Sequence, residues 1–216
     1  MLDELDRELE RRKHRFVRYA DDCNIYVRSQ GAGQRVMTNI TRFLARRLKL
    51  KVNEAKSAVA GPEQRKFLGF SFSNNKEPKR RIAPKAVLRC KQKIRELTRR
   101  TRGISLEQML KELAAYLRGW KSYFGFCQTL WLLKKLDKWI RRRLRSMIWK
   151  QWKQWKRGKQ RYAKLRHLGI NRALAAKTAG SPHGPWRLAN SPALSYALPI
   201  AYFDSLGLPR LLSGDA

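Results

Sequence analysis

From Arg15 to Arg28 the side chains alternate with a period of two, as Arg15-Phe16-Val17-Arg18-Tyr19-Ala20 and then Cys23-Asn24-Ile25-Tyr26-Val27-Arg28, about the single polar dipeptide Asp21-Asp22. Two short β-prone runs around so short a break read as an antiparallel hairpin, and they put both carboxylates at its tip. Before it, Leu2, Leu5 and Leu9 recur with helical spacing; after the break Ser29 to Gly33, Val36, Ile40, Phe43, Leu44 and Leu48 do the same, with Arg on the other side. Leu50 to Asn53 looks extended, and Lys66 to Phe72 reads as a further strand in which Gly69 permits close backbone approach.

Beyond that strand the pattern changes. The stretch Ser73-Asn74-Asn75-Lys76-Glu77-Pro78, with Pro84 soon after, reads as a linker past which β character disappears, so a first α+β domain is expected over residues 1–78. Val87, Cys90, Ile94 and Leu97 then mark one helix. Ser105 with Gln108 forms a capping box that opens a second, through Met109, Leu113 and Leu117. The third and longest is expected from about Leu130 through Leu133, Leu136, Ile140, Leu144 and Met147 to Lys156. Three such helices suit a bundle over residues 79–168, and Pro182, Gly184, Pro185, Pro192 and Pro199 leave 169–216 as an irregular tail of loops and turns.

Charge says what such a chain meets. Fifty Lys and Arg against sixteen Asp and Glu give a formal net charge of +34, which repels the chain from itself unless a polyanion neutralises it. Seven of the sixteen acids fall in the first twenty-two residues, so the two halves are tasked differently. No apolar run is long enough to cross a bilayer, and the charged start is neither a membrane anchor nor a lipidation signal, so no membrane partner is expected. Cys23, Cys90 and Cys127 are odd in number and widely spaced, and His14, His167 and His183 show no ligand spacing. Neither a disulfide framework nor a zinc site follows, and a reducing cytoplasm is the expected compartment.

Between Lys134 and Arg166 fifteen cations face one acid, Asp137, with Trp139, Trp149, Trp152 and Trp155 interleaved. Lys134, Lys135, Lys138, Arg141, Arg142, Arg143, Arg145, Lys150, Lys153, Lys156 and Arg157 are therefore candidate RNA contacts, with Arg118 and Trp120 upstream. Cations neutralise phosphates and tryptophans can stack on unpaired bases, although the same tryptophans would also serve as bundle core.

On residue type alone, Asp21-Asp22 could be a solvated turn or half of a nucleotidyl-transfer site, in which two divalent ions are clamped by carboxylates. A resemblance favours the second reading. Phe16-Val17-Arg18-Tyr19-Ala20-Asp21-Asp22 is similar to the palm motif of group II intron reverse transcriptase/maturases. Leu50-Lys51-Val52-Asn53-Glu54-Ala55-Lys56-Ser57 and Phe67-Leu68-Gly69-Phe70 resemble the family's following blocks. Arg118-Gly119-Trp120 with Tyr123-Phe124, Leu136-Asp137 with Ile140-Arg141, and Arg143-Leu144 look like its maturase-specific thumb. Gly184-Pro185-Trp186-Arg187 and Ala201 to Pro209 resemble its ending.

The resemblance implies that Asp21 and Asp22 are Mg²⁺ ligands and that Tyr19 and Ala20 line the nucleotide site. It further implies that Lys56 steadies pyrophosphate and that Phe67, Leu68, Gly69 and Phe70 shape the primer grip. Its implied partners are structured intron RNA and, in the complete enzyme, an RNA template and DNA primer.

Departures from the family bear on activity. The fingers, the Pro-Gln-Gly turn and the earlier palm aspartate have no counterpart here, as though the chain began at an internal methionine, and no HNH endonuclease module follows. The expectation is an RNA-binding chain that does not extend primers alone, catalytic only beside a complementing upstream polypeptide. The alternatives are a non-catalytic basic protein that assists intron RNA folding and an inactive remnant of a mobile element.

Overall fold

A computed structural model of the chain describes residues 2–152 and 159–212. They fall into two units, one through Ala83 and one from Pro84 onward. Among the described residues no helix is long and apolar enough to cross a membrane.

In the first unit the period of two decides what is buried. Strand β1 (Arg15–Tyr19) pairs antiparallel with β2 (Asp22–Tyr26), setting Phe16 opposite Ile25 and Arg18 opposite Cys23. A hairpin alone is marginal in water, so one face needs a cover. Helices α1 (Leu2–Arg11) and α2 (Gln30–Arg47) supply it. Leu5, Leu9, Ile40 and Leu48 pack with Phe16, Cys23 and Ile25, while Val17 and Tyr19 alternate outward and are exposed. Each fully buried leucine is worth about 2 kcal/mol, and α1 contributes two such anchors from only ten residues. Ser29 caps α2, its Oγ accepting the Ala32 N–H at 3.2 Å.

Two expectations for the following segment are corrected. Lys66 to Phe72 is not one strand: Leu68 and Gly69 take positive φ of 50° and 78°. The amides of Phe67 and Phe70 each donate to the other's carbonyl at 2.9 Å, which makes a two-residue hairpin turn of the type that suits twisted strands. Only Phe70–Phe72 is strand, β3. Nor does β character end at residue 78, because β4 (Arg80–Ile82) pairs with β3, Phe70 opposite Ile82. The polar stretch read as a linker is the loop of that hairpin, closed by Ser73 N–H to Lys79 O at 3.0 Å and Lys79 N–H to Ser73 Oγ at 2.9 Å.

The second unit is helical. Pro84 opens α3 (Pro84–Leu97), followed by α4 (Leu106–Phe124) and α5 (Leu130–Gln151). Its core takes Cys90 and Ile94 from α3, Met109, Leu113 and Leu117 from α4, and Leu133, Leu136, Ile140 and Leu144 from α5. Half of the expected capping box forms: Ser105 Oγ accepts the Gln108 N–H at 3.1 Å, but the Gln108 amide donates to Glu112 at 3.0 Å instead of reaching back. Helix α5 is described through Gln151, with the N–H of Trp152 closing on Ile148 O at 3.0 Å, and the expected continuation to Lys156 lies outside the described residues.

Helix α6 (Lys159–His167) follows, and the tail beyond it is not irregular but a series of short helices: α7 (Arg172–Ala179), α8 (Pro185–Leu188), α9 (Pro192–Ala197) and α10 (Ile200–Ser205). Three of the prolines read as breakers stand at helix starts, Pro199 as the N-cap of α10. Pro185 and Pro192 occupy first-turn positions, where the missing N–H costs nothing.

Candidate functional site

Two places on the chain carry the candidate chemistry, and each belongs to its own unit. In the first, pairing of Tyr19 with Asp22 leaves only Ala20 and Asp21 in the loop, so Asp21 sits on the turn and Asp22 opens β2. Ala20 takes φ of 52°, the left-handed region in which a Cβ is unfavourable. Asp21 and Asp22 are exposed, as is Tyr19 at 64%. Among the described residues neither carboxylate is in an ion pair, although the chain carries fifty cations.

Arg18 explains how the turn is held. Its phase in β1 points it to the covered face, beside Phe16 and opposite Cys23, where a charge needs a partner. That partner is Asp6 of α1, which accepts from Arg18 Nε at 2.7 Å and again from Nη2. The hydrogen bond from Arg18, with its charge, holds the Asp6 carboxyl below its usual range against the opposing effect of burial. The remaining nitrogen, Nη1, donates to the Ala20 carbonyl at 2.9 Å. Neither Asp6 nor Arg18 was among the expected site residues. The signal available in the sequence is an arginine in the inward phase of an otherwise apolar strand face.

Other expected members of this site lie on separate loops. Lys56 is exposed, its amide bonded to Asn53 O at 3.1 Å and Asn53 Oδ1 at 3.2 Å and its carbonyl accepting from Arg65 at 2.6 Å. Phe67 to Phe70 form the turn described above, with Leu68 at its tip. Two hard carboxylates fit Mg²⁺, which takes few protein oxygens and completes its shell with water and phosphate. They do not make a full two-ion clamp, and among the described residues no cluster of three or more metal-ligating side chains exists.

The second place is α5. Trp131, Lys134, Lys135 and Lys138 stand at positions i, i+3, i+4 and i+7, one face of a helix, and all four are exposed. Trp131 is 64% exposed, and Lys135 Nζ lies 6.0 Å from its ring. Arg118 and Lys150 are also exposed. Trp131 was not singled out from the sequence, although the same spacing shows it.

The arginines of α5 do something other than expected. Arg141 is 3% exposed and ion-paired with Asp137 at 2.9 Å and Asp204 at 3.2 Å, so it is not available to RNA. Arg142 stacks 4.3 Å over Trp186 and donates to its carbonyl at 3.0 Å. Arg143 donates to Thr98 Oγ1 at 2.5 Å and Arg145 to Leu198 O at 2.9 Å, and burial lowers the pKa of both. A basic side chain next to a helix end or loop is drawn to carbonyls that lack partners, and these three arginines tie α5 to its neighbours. Trp120 and Trp149 are core, with 7% and 0% exposure, and Trp139 lies under Lys91 and Arg95. Lys153, Trp155, Lys156 and Arg157 lie outside the described residues.

Residues 1–72 match the family model for reverse transcriptase (RNA-dependent DNA polymerase), and residues 87–165 match that for the group II intron maturase-specific domain. The two matches follow each other and between them cover most of the chain. No curated protein matches it.

Proposed function

We infer the function of this chain from the family to which it belongs, the group II intron reverse transcriptase/maturases. Its maturase-specific part binds structured intron RNA, and the observation that carries this is the exposed face of Trp131, Lys134, Lys135 and Lys138 on α5. Three lysines on one helix face can neutralise phosphates of a folded RNA backbone, and the exposed indole offers a platform for one unpaired base. Binding of this kind steadies the folded intron for splicing.

The palm part supplies Asp21 and Asp22 as Mg²⁺ ligands. Divalent ions held there supply activation of a primer 3′-hydroxyl and stabilisation of the departing pyrophosphate. Tyr19 and Ala20 flank the incoming nucleotide, Lys56 faces the pyrophosphate and Phe67 to Phe70 shape the primer end. With two carboxylates the clamp is incomplete, so template-directed synthesis requires a third acid beside Asp21 and Asp22.

A filter-binding titration with structured intron RNA tests the first statement. Affinity should fall steeply as salt rises, and Lys134→Gln/Lys135→Gln/Lys138→Gln should flatten the log–log salt slope by about one per lysine. Equal slopes for the two proteins would remove this face from the interface. Nucleotide incorporation on a primed RNA template with Mg²⁺ tests the second. The chain alone should give none, and incorporation abolished by Asp21→Ala would show the clamp to be complete.

A further inference from the structure

We propose that Arg18, braced by Asp6, is a positioning residue that fixes the direction in which Asp21 and Asp22 leave the hairpin; this rests on the reading of those carboxylates as divalent-cation ligands. A two-residue loop closed by one strand pair is free to flip the peptide between its central residues. Here that peptide is Ala20–Asp21, and its orientation decides where the Asp21 carboxylate points. Its carbonyl oxygen accepts from Arg18 Nη1 at 2.9 Å, so the flip requires breaking a charge-assisted bond.

Arg18 is itself not free to follow. Its Nε and Nη2 grip both oxygens of Asp6, twelve residues earlier in the chain. Asp6 rides on α1, which is seated by the buried Leu5 and Leu9. The turn is thereby referenced to a packed helix and not only to its own strands. The positive φ of Ala20, 52°, is the trace of the arrangement: a glycine would hold it freely, whereas alanine needs an external restraint. Lysine could not replace this residue, since one ammonium lacks the planar fork that bonds a carboxylate with one edge and a carbonyl with the other. Groups behind metal ligands act in this way by orientation, without touching the ion.

The test uses the full chain with Mn²⁺ as the probe. Paramagnetic broadening of the amides from Tyr19 to Cys23 reads ion binding, and the intraresidue H–N to Hα Overhauser effect at Ala20 reads the sign of φ. Arg18→Lys should weaken Mn²⁺ binding by roughly 10–100-fold and release the positive φ. The exchange Asp6→Arg/Arg18→Asp restores the ion pair but not the bond to the carbonyl. It should recover thermal stability while leaving Mn²⁺ binding weak, an outcome that a purely structural role would not produce. An Arg18→Lys chain with the Ala20 φ unchanged overturns the proposal, as does an exchanged pair that binds Mn²⁺ like the parent. Should the parent itself show no broadening that Asp21→Asn/Asp22→Asn removes, the metal reading fails on its own. The φ of Ala20 in Arg18→Lys then decides the positioning role: retained, it overturns the proposal; lost, it supports it.

Discussion

A single arginine can look like an RNA contact and be a keystone, and Arg141 shows the difference. With 3% of its side chain exposed, it joins Asp137 on its own helix to Asp204 on α10. Asp137 also accepts the amides of Leu211 and Leu212 at 3.0 and 3.1 Å, and Arg210 pairs with Asp204, so one charged cluster fastens the last described residues to α5. Arg141→Leu leaves Asp137 without its cation and Asp204 with Arg210 alone, and should cost about 3 kcal/mol in denaturant unfolding, with the RNA salt slope unchanged. The cluster is also acid-sensitive. Burial alone would raise the Asp204 carboxyl, but hydrogen bonds from Arg210 and Arg141 outweigh it and hold the group below its ordinary 3.8. A depressed carboxylate stabilises the fold above that value and ceases to as pH falls through the lowered one. Thermal melts should therefore drop in that acid window, and Asp204→Asn should show a shallower drop.

Among the elements, α4 offers the cleanest contrast. Ser105 Oγ satisfies an amide that nothing else in the helix can reach, whereas the Gln108 side chain looks forward to Glu112. Ser105→Ala should cost about 1 kcal/mol and Gln108→Ala only a few tenths, measured as shifts of the unfolding midpoint. A full capping box would make the two losses comparable. The two hairpin turns contrast in the same way: Leu68-Gly69 needs two positive φ and places glycine at the second, while Ala20 meets its single positive φ with an alanine held by Arg18.

For the whole chain, +34 is the governing quantity. Like charges repel in the folded state, and salt screens them over about 10 Å at 0.1 M. The same ions compete with RNA phosphates. Salt should thus raise the melting temperature of the free chain while lowering its affinity for RNA, two effects of opposite sign from one cause. A melting temperature that fell with added salt would mean that ion pairs such as Arg18–Asp6, not self-repulsion, dominate the electrostatics.

The sequence by itself determined the elements whose signal is local. Alternation about Asp21-Asp22 gave the hairpin, periodic apolar residues gave α1, α2 and the three long helices, and the ordered motifs gave the family. What it left open were contacts between residues far apart in the chain. Whether an arginine of α5 meets solvent or a carbonyl depends on where α8 and α9 lie, forty-four residues away for Trp186 and fifty-three for Leu198. The polar run 73–78 became a hairpin loop only because residues beyond it found β3. Prolines of the tail could end helices or begin them, and packing of Leu188 and Leu194 into the core chose the second. Periodicity reports which face of an element is apolar; only the folded chain says what that face and its charges meet, because each burial and each ion pair takes two partners.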